Sequence, residues 1–439
     1  MNERKTLKAV DGSLQIGNFK ASDLAKKFGT PLYVLDIDHV ESMMKAYKST
    51  IEKSYGEGEV LFASKALSTK AIYQTAKNCG IGVDVVSGGE LATAKSVDFP
   101  MEKVYFHGNN KLDCELEMAV SLGVKMVVCD SYQELAKLDE IAKNAGIAQK
   151  IELRINPGVE AHTHEFIQTA KTDSKFGFGI ETGDALEAVK EALKYKNLHL
   201  SGLHCHIGSQ IFDFPAFLLA VEKMVAFMAQ VKAVCGWELD ELNLGGGIGI
   251  YYTAEDKAFN LEAYESFLAM VLAKVSEEIS AKSLKKPFVT IEPGRSIVGE
   301  AGITLYTAGN IKDIKDIRKY IAIDGGMFDN PRYALYDAKY EVVNCDKMNK
   351  TDVEKVTIAG KCCESGDIIA KDVVIPKVES GDILAVLSTG AYNYSMASNY
   401  NRNPIPAMVG VKGDNADFII KKQSYEDLMR LDSVPEFLK

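Results

Sequence analysis

Eight short apolar runs, each ending in a glycine or a polar residue, are spaced through residues 60 to 294. All but the last are followed by sequence with helical periodicity. The runs are VLFASK (60–65), GVDVVS (82–87), VYFHG (104–108), KMVVCD (125–130), IELRIN (151–156), LSGLHCH (200–206), LDELNLG (239–245) and FVTIEPG (288–294). This alternation predicts a parallel, TIM-like (β/α)8 barrel. In such barrels the catalytic groups lie at the carboxyl ends of the strands.

The pattern changes after Gly294, where short β-rich runs separated by Gly-Asp and Pro turns replace the helical periodicity. The runs are ITLYTAGNI, KYIAIDGG, EKVTIAG, DIIAKDVVI, DILAVLS and DFIIKK. They predict an antiparallel β-sandwich or barrel domain. Because LQIGNF and LYVLDI near the amino terminus are also strand-like, we assign residues 1–35 and 301–439 to this domain. The barrel, residues 36–300, is then an insertion.

Composition favours a soluble protein that binds a small molecule. The chain has 439 residues, 46% hydrophobic and 26% charged, with a net charge of −10. That charge argues against nucleic acid or an anionic membrane as partner, because both attract clustered Lys and Arg. Residues 214–235 are apolar, but their charged residues recur at helical spacing, which favours an amphipathic barrel helix over a membrane span.

The amino terminus and the cysteines favour a cytoplasmic protein. The first fifteen residues lack the apolar run of a secretory signal. Eight cysteines without a CxxC pattern indicate reduced thiols and no structural zinc site.

Lys65 ends the first barrel strand, which would direct its amine into the barrel mouth. A lysine at a strand end is usually a solvated charge. In an apolar mouth, however, it can form a Schiff base with a carbonyl cofactor.

His204 and His206 alternate on one strand and so are expected to share a face. They could be core histidines or a metal pair, as in barrel hydrolases, with only His107 and Glu292 as further ligands. Alternatively, an imidazole here could stack on a cofactor ring.

Glycines 245, 246 and 247 follow the seventh strand, where barrels often bind phosphate, although such triplets are commonly just tight turns. Glu292 and Arg295 then bring a carboxylate and a guanidinium to the same mouth. Together with Lys65 and a stacking histidine, these groups describe a pocket for pyridoxal 5′-phosphate. The carboxylate would keep the pyridine nitrogen protonated, so that the ring can accept electrons.

The β domain contains ESGD twice, and only the first copy, in KCCESGD (361–367), has a thiol beside it. Turn chemistry explains the motif in either copy. Alternatively, Cys363 donates a proton and Glu364 binds a substrate ammonium, provided that both reach the barrel mouth.

Across nearly the whole chain these residues resemble the barrel-type pyridoxal-phosphate decarboxylases, the fold type III enzymes. The shared segments are FASKAL, DVVSGGE, NPGVEAHTHEFIQT, DSKFGFG, HCHIGSQ, LNLGGGIGI, EPGRSIV, NPRYALY, CCESGD and GAYNYSMASNYN. The resemblance implies decarboxylation of meso-2,6-diaminopimelate to L-lysine. It also implies a homodimer with shared active sites, in which Cys363 and Glu364 reach the partner's barrel.

The resemblance assigns residue roles as well. Lys65 would form the Schiff base, His206 would stack on the ring, Glu292 would meet the pyridine nitrogen, and Cys363 would donate the proton. The other cofactor contacts would be Asp84, Ser209, Gly245, Gly246, Gly247, Gly294, Arg295 and Tyr392. The substrate contacts would be Arg295, Arg332, Tyr336, Glu364 and Tyr392.

The sequence departs from the family pattern at two positions near the expected substrate or interface contacts. Tyr333 follows the substrate-binding arginine where proline is usual, and Ile405 stands in an NPIPA segment where the family has RPRPA. Decarboxylases of arginine, ornithine or carboxynorspermidine are the nearest alternatives. An amino-acid racemase, a non-catalytic relative and a metal hydrolase are alternatives of other classes.

Overall fold

The computed structural model describes residues 6–159 and 174–439. The chain divides into two compact units. The barrel unit comprises Glu41–Ile250 and Phe259–Ile297. The β unit comprises Met1–Val40, Tyr251–Ala258 and Val298–Lys439.

Four strands precede the barrel, and seventeen follow in chain order within the described residues. The first four are β1 (Leu7–Val10), β2 (Ser13–Ile16), β3 (Phe19–Lys20) and β4 (Leu32–Asp36). The strands of the barrel unit are β5 (Gly58–Ala63), β6 (Gly82–Val85), β7 (Val104–Phe106), β8 (Met126–Cys129), β9 (Gln149–Asn156), β10 (Phe178–Gly179), β11 (Leu198–His204), β12 (Glu241–Asn243) and β13 (Phe288–Ile291).

The barrel is a closed ring of eight parallel strands, which confirms the predicted fold. The ring runs β9-β11-β12-β13-β5-β6-β7-β8 and closes by pairing of β8 with β9, while β10 pairs with β9 outside it. Each predicted apolar run overlaps one strand of the ring. Strands β6, β7 and β8 are buried throughout, as expected where a ring of helices covers the outside of a parallel sheet.

Helices connect the strands and begin at residues that suit helix amino termini. Thr69, Ser87, Ser131 and Asn260 each accept a hydrogen bond from a backbone N–H of the first turn. The helices are α1 (Ala21–Phe28), α2 (Ile37–Ser54), α3 (Lys70–Cys79), α4 (Gly88–Lys95), α5 (Asp113–Leu122), α6 (Tyr132–Ala145), α7 (Asp184–Ala192), α8 (Phe214–Cys235), α9 (Leu261–Ala281), α10 (Arg295–Val298), α11 (Arg332–Tyr336) and α12 (Tyr425–Met429).

One helix of the described residues, α8, is long and apolar enough to span a membrane by length and composition alone. Half of its most apolar window is buried inside the protein. Within the barrel unit, the ring of Phe214 stacks on that of Phe267 in α9, with 4.2 Å between centroids. On the polar side, the Lys223 amine lies 2.9 Å from the Glu181 carboxylate. This is the amphipathic packing that the sequence predicts.

The β unit contains a nine-stranded sheet and a three-stranded sheet, β1-β2-β3. The large sheet runs β18-β17-β15-β14-β4-β20-β21, and β19 pairs with β14 and β16. Its carboxyl-terminal strands are β14 (Gly302–Ile314), β15 (Arg318–Ile323), β16 (Val342–Asn344), β17 (Val353–Ala359), β18 (Ile368–Pro376), β19 (Ile383–Val386), β20 (Ala407–Lys412) and β21 (Asn415–Ile420).

The large sheet is mostly antiparallel, but two of its ladders are parallel and differ from the expectation. Strand β15 pairs in parallel with β17, and β4 pairs in parallel with β20. Long connections make this possible, because parallel neighbours cannot be joined by a tight hairpin. Strand β4 lies between β14 and β20, as the strand-like amino-terminal sequence indicated.

A buried ion pair ties the third and fourth repeats of the barrel together. Lys111, just after β7, places its amine 2.5 Å from Glu134 at the start of α6. The same amine donates to the carbonyl oxygens of Gly108 at 2.8 Å and Val128 at 2.7 Å. Because both side chains are buried, neither charge can be stabilised by water if its partner is removed.

We expect Lys111→Met to destabilise the barrel by about 3–5 kcal/mol, since it leaves Glu134 buried without a counter-charge. Chemical denaturation followed by tryptophan fluorescence would measure the change. Lys111→Met combined with Glu134→Leu should recover much of the loss. Lys137→Met is the matched control, because its ion pair with Asp113 is exposed and should cost less than about 1 kcal/mol. Equal effects of the two single changes would contradict the expectation.

Candidate active site

Lys65 lies directly after β5, in a single turn of 3-10 helix, and its side chain is exposed. Asp84, on the next strand, is buried. Burial raises the pKa of the Asp84 carboxyl, while the charges of His107 and Lys65 act in the opposite direction. The structure therefore brings Lys65 and Asp84 together electrostatically at the carboxyl ends of adjacent strands.

Glu292, directly after β13, is a buried carboxylate that three nitrogen atoms contact. His107 Nε2 lies 2.8 Å from Oε1, Asn243 Nδ2 donates to Oε1 at 2.8 Å, and His204 Nε2 lies 3.1 Å from Oε2. Burial alone would raise the pKa of Glu292, but the two histidines hold it well below the usual range. Glu292 is therefore ionised and fixed in one orientation.

His204 is the last residue of β11 and is fully enclosed. Burial lowers its pKa to about 4, against the opposing effect of Glu292. The imidazole is therefore neutral at pH 7. Its ring meets that of His107 edge to face, with 4.8 Å between centroids. These contacts explain the position of His204 without a bound ion.

His206 lies beyond the end of β11 and has different partners from His204. Its Nδ1 accepts a hydrogen bond from the backbone N–H of Gly246 at 3.3 Å. Burial, followed by the charges of Lys65 and Arg154, lowers the pKa of His206 well below its usual value. Among the described residues, the group close enough to share a metal ion is His107, His204 and Glu292. A metal pair made by His204 and His206 is therefore not what the geometry favours.

The glycine turn after β12 passes very close to neighbouring backbone. A Cβ on Gly246 would lie 2.1 Å from the carbonyl oxygen of Glu292. A Cβ on Gly245 would lie 2.4 Å from that of Cys205, and Gly245 has a φ of +64°. Side chains are thus excluded here for a steric reason. The Gly245 N–H donates to Asn243 Oδ1 at 3.0 Å, which fixes the start of the turn.

Arg295 and Ser209 are also brought together. Arg295 is buried, and its Nη2 donates to Ser209 Oγ at 3.0 Å. Gly294, before it, packs so that an added Cβ would lie 2.9 Å from that of Ala63. The barrel mouth therefore offers an exposed lysine, an ionised buried carboxylate, a half-buried imidazole, a turn without side chains and a guanidinium. This donor set fits pyridoxal phosphate, because the lysine suits its aldehyde, the carboxylate its pyridine nitrogen, and the glycine turn and guanidinium its phosphate.

Three of the predicted substrate residues of the β unit, Arg332, Tyr336 and Tyr392, form a cluster. This guanidinium is buried, and its central carbon lies 5.0 Å from the ring centroid of Tyr336 and 5.5 Å from that of Tyr392. Tyr392 has a φ of +65°, which is uncommon for a residue with a side chain. Aromatic faces stabilise a guanidinium while leaving its N–H groups able to bind a carboxylate.

Cys363 and Glu364 are exposed on a loop that Asp367 holds. The buried Asp367 carboxylate accepts the N–H of Cys362 at 2.7 Å and that of Met327 at 2.6 Å. The backbone N–H of Cys363 donates to Asn401 at 2.8 Å. Asp367 thus gives the ESGD segment at residues 364–367 a structural role, in addition to the roles predicted for Cys363 and Glu364.

Sequence reasoning missed Asn243 and gave His107 no role at Glu292. The role of His107 could have been predicted, because it directly follows the third barrel strand, as the other candidates follow theirs. Asn243 ends β12, which pairs with β13, and only this pairing shows that it meets Glu292. Part of the NPGVEAHTHEFIQT segment and the first residue of DSKFGFG lie outside the described residues.

Comparison with known proteins identifies relatives of this chain. The family model for the pyridoxal-binding domain of pyridoxal-dependent decarboxylases matches residues 37–299. The chain is 45% identical to the diaminopimelate decarboxylase of Bacillus subtilis over 421 residues, covering 96% of this chain and 95% of the relative. It is 46% identical to that of Bacillus methanolicus, covering 94% and 95%.

Solved structures show the same architecture. Diaminopimelate decarboxylase from M. jannaschii, in complex with L-lysine, superposes with a TM-score of 0.92 at 36% identity, and each chain is covered fully. The Helicobacter pylori enzyme, also with L-lysine, gives a TM-score of 0.84 at 30% identity, covering 93% of this chain and 98% of that one.

The low pKa of His204 makes the stability of the cofactor-free protein depend on pH. The unfolded histidine has a pKa of 6.5 and the folded one about 4, so the unfolded state binds more protons between these values. We expect His204 to contribute at most about 3 kcal/mol to the free energy of unfolding above pH 6.5, and this contribution to be lost as pH falls toward 4. Urea denaturation midpoints at pH 7, 6 and 5 would measure it.

His204→Gln should reduce that pH dependence, because the group that takes up the proton on unfolding is gone. His199→Gln, at the start of the same strand and partly exposed, is the matched control and should keep the wild-type slope. If His204→Gln and His199→Gln gave the same slope, His204 would not be the group responsible.

Proposed function

Because this chain belongs to the pyridoxal-dependent decarboxylase family, we propose that it decarboxylates meso-2,6-diaminopimelate to L-lysine and carbon dioxide with pyridoxal phosphate. The geometric observation that carries this proposal is Glu292, an ionised carboxylate fixed in the mouth of the barrel that bears Lys65. When bound, pyridoxal phosphate supplies an electron sink for the pair of electrons released with carbon dioxide.

The residues of the barrel mouth divide the work of holding the cofactor. Lys65 is the covalent attachment point, and it is the lysine at the end of a barrel strand. Glu292 holds a proton on the pyridine nitrogen, for which its unusually low pKa suits it. His206 stacks on the ring. The remaining cofactor contacts that we propose are Asp84, Ser209, Gly245, Gly246, Gly247, Gly294, Arg295 and Tyr392.

Substrate recognition requires groups for the end of the molecule that does not react. Arg332 and Arg295 bind the distal carboxylate, with Tyr336 and Tyr392 lining the site around Arg332. Glu364 binds the distal ammonium group. A distal carboxylate distinguishes diaminopimelate from ornithine and lysine, so a buried guanidinium favours this substrate over those. At Tyr333 and Ile405 the sequence departs from the family pattern, near the proposed substrate or interface contacts.

Cys363 is the proton donor that completes the reaction. Its thiol is exposed on a loop whose backbone is fixed by Asp367 and Asn401, so it can approach a substrate without being buried itself. A racemase would need a second base on the opposite face of the substrate, and the CCESGD segment offers a thiol donor instead. The chirality of recovered substrate separates the two reactions.

We also propose a cytoplasmic homodimer in which Cys363 and Glu364 of one subunit complete the barrel site of the other. Both side chains are exposed. So are several large apolar side chains near the carboxyl terminus, which a second copy could cover: Tyr425, Met429, Leu431, Val434, Phe437 and Leu438.

Incubation of the protein with pyridoxal phosphate and diaminopimelate should release carbon dioxide and L-lysine, measured by a coupled assay and chromatography. Lys65→Ala should abolish the visible absorbance of the bound cofactor and lower turnover by about 10³-fold or more. Lys70→Ala, a nearby exposed lysine, is the matched control and should behave as wild type. Absence of lysine with an intact cofactor spectrum would reject this substrate, and a panel including arginine and ornithine would then identify the preferred one.

Shared sites predict that two inactive variants complement each other. Lys65→Ala and Cys363→Ala should each be nearly inactive, yet mixing them through mild dissociation should restore about a quarter of wild-type activity. Half of the dimers are then mixed, and one of their two sites has both residues. Differently tagged subunits would verify that mixed dimers form. If they form without regaining activity, each site is built within one subunit.

A further inference from the structure

A column of polar side chains crosses the interior of the barrel below Glu292. Tyr105 on β7 donates to Glu241 on β12 at 2.7 Å. Asn243 on β12 donates to Glu152 on β9 at 3.2 Å. Strands β7 and β12 lie on opposite sides of the ring, and β9 and β12 are separated by β11, so both hydrogen bonds run through the barrel interior. Barrel interiors are usually filled by branched apolar residues, and a polar column at this place therefore calls for a reason.

Asn243 is the junction of this column with the candidate active site. Its Nδ2 donates to Glu292 Oε1 at 2.8 Å and to Glu152 Oε2 at 3.2 Å. Its Oδ1 accepts the N–H of Gly245 at 3.0 Å. All these contacts agree on one orientation, because the opposite amide orientation would direct an oxygen atom at two carboxyl groups. One side chain thus contacts both the carboxylate and the glycine turn.

Glu152 occupies the other side of Asn243 and is completely buried. Burial, followed by the charges of Glu241 and Glu292, raises its pKa well above the usual range. These effects favour the protonated, uncharged form of Glu152. In that form it accepts the second amide proton of Asn243 without adding a negative charge beside Glu292.

We propose that Asn243 is a positioning residue that fixes Glu292 and the glycine turn in one mutual arrangement, and that Glu152 orients Asn243. This inference rests on the proposed function, in which Glu292 meets the pyridine nitrogen and the turn holds the phosphate of the same cofactor. Asn243 then determines the distance between the two ends of the cofactor site. Its loss should weaken cofactor binding and turnover more than substrate binding.

The test compares Asn243→Leu, Asn243→Asp and a matched control, Thr290→Val. Thr290 is buried on β13 and lies opposite Asn243 in the parallel ladder, so Thr290→Val also removes a polar group from the barrel interior. The dissociation constant of pyridoxal phosphate is measured by absorbance titration, with no substrate present. We expect about a 10–100-fold weaker constant for Asn243→Leu, as for other residues that orient ligand-binding groups, and no comparable change for Thr290→Val.

A pH series separates positioning from a general packing defect. The affinity deficit of Asn243→Asp should grow as pH rises, since an ionised carboxylate introduced at this position would repel Glu292, whereas a protonated carboxyl can still donate to it. The deficit of Asn243→Leu should be independent of pH. With substrate, kcat should fall by more than KM changes. Glu152→Ala should weaken cofactor binding, and Glu152→Gln, which keeps an uncharged acceptor, should restore most of it.

Two results would overturn the proposal. One is wild-type cofactor affinity in Asn243→Leu, and the other is a deficit equal to that of Thr290→Val. If Asn243→Leu does not fold, as judged by its thermal unfolding without cofactor, the pH series on Asn243→Asp and the Glu152 pair decide the question. Because affinity for pyridoxal phosphate is measured without substrate, failure of this proposal is distinct from failure of wild-type protein to decarboxylate diaminopimelate.

Discussion

A carboxylate charge held away from water is the constraint on which the rest of the barrel mouth depends. Glu292 is buried, and the nitrogen atoms of His107, His204 and Asn243 replace the water it has lost. These residues come from three different strand regions, so the carboxylate is satisfied only when the sheet has closed into a ring. The contacts that prepare the site for chemistry are therefore also contacts that specify the closed fold, and the two cannot be varied separately.

The barrel unit and the β unit supply different kinds of environment. In the barrel, strands fix the functional groups, and burial determines their charge states, as the depressed pKa of His204 shows. In the β unit, Cys363 and Glu364 lie on an exposed loop held by a few hydrogen bonds to Asp367 and Asn401. A cofactor site benefits from rigid preorganisation, whereas a group that must meet an incoming substrate benefits from access.

The sequence predicted the ring of strands well, because parallel strands buried on both faces are continuous apolar runs that end at polar residues. It also located Lys65, His206 and Glu292, because the carboxyl ends of those runs meet at one edge. It could not predict the roles of Asn243 or Glu152, since their contacts with each other and with Glu292 depend on which strands lie beside or near one another in the ring. The parallel ladders of the β unit and the short strands β16 and β20 were missed for a similar reason. Pairing between strands that are far apart in the sequence, and not the local hydrophobic pattern, determines these ladders and strands.

Strand β4 lies between β14 and β20, which both follow the barrel in the sequence. During synthesis, therefore, the amino-terminal segment must wait until the whole barrel and most of the β unit have been made before it gains its neighbours. Until β14 has been made, β4 is an apolar strand with two unpaired edges, and one edge stays unpaired until β20 follows. Unpaired edges of this kind favour aggregation. Early folding of the barrel would shorten the effective loop between β4 and β14. Truncation that removes β20 should leave one edge of β4 unpaired.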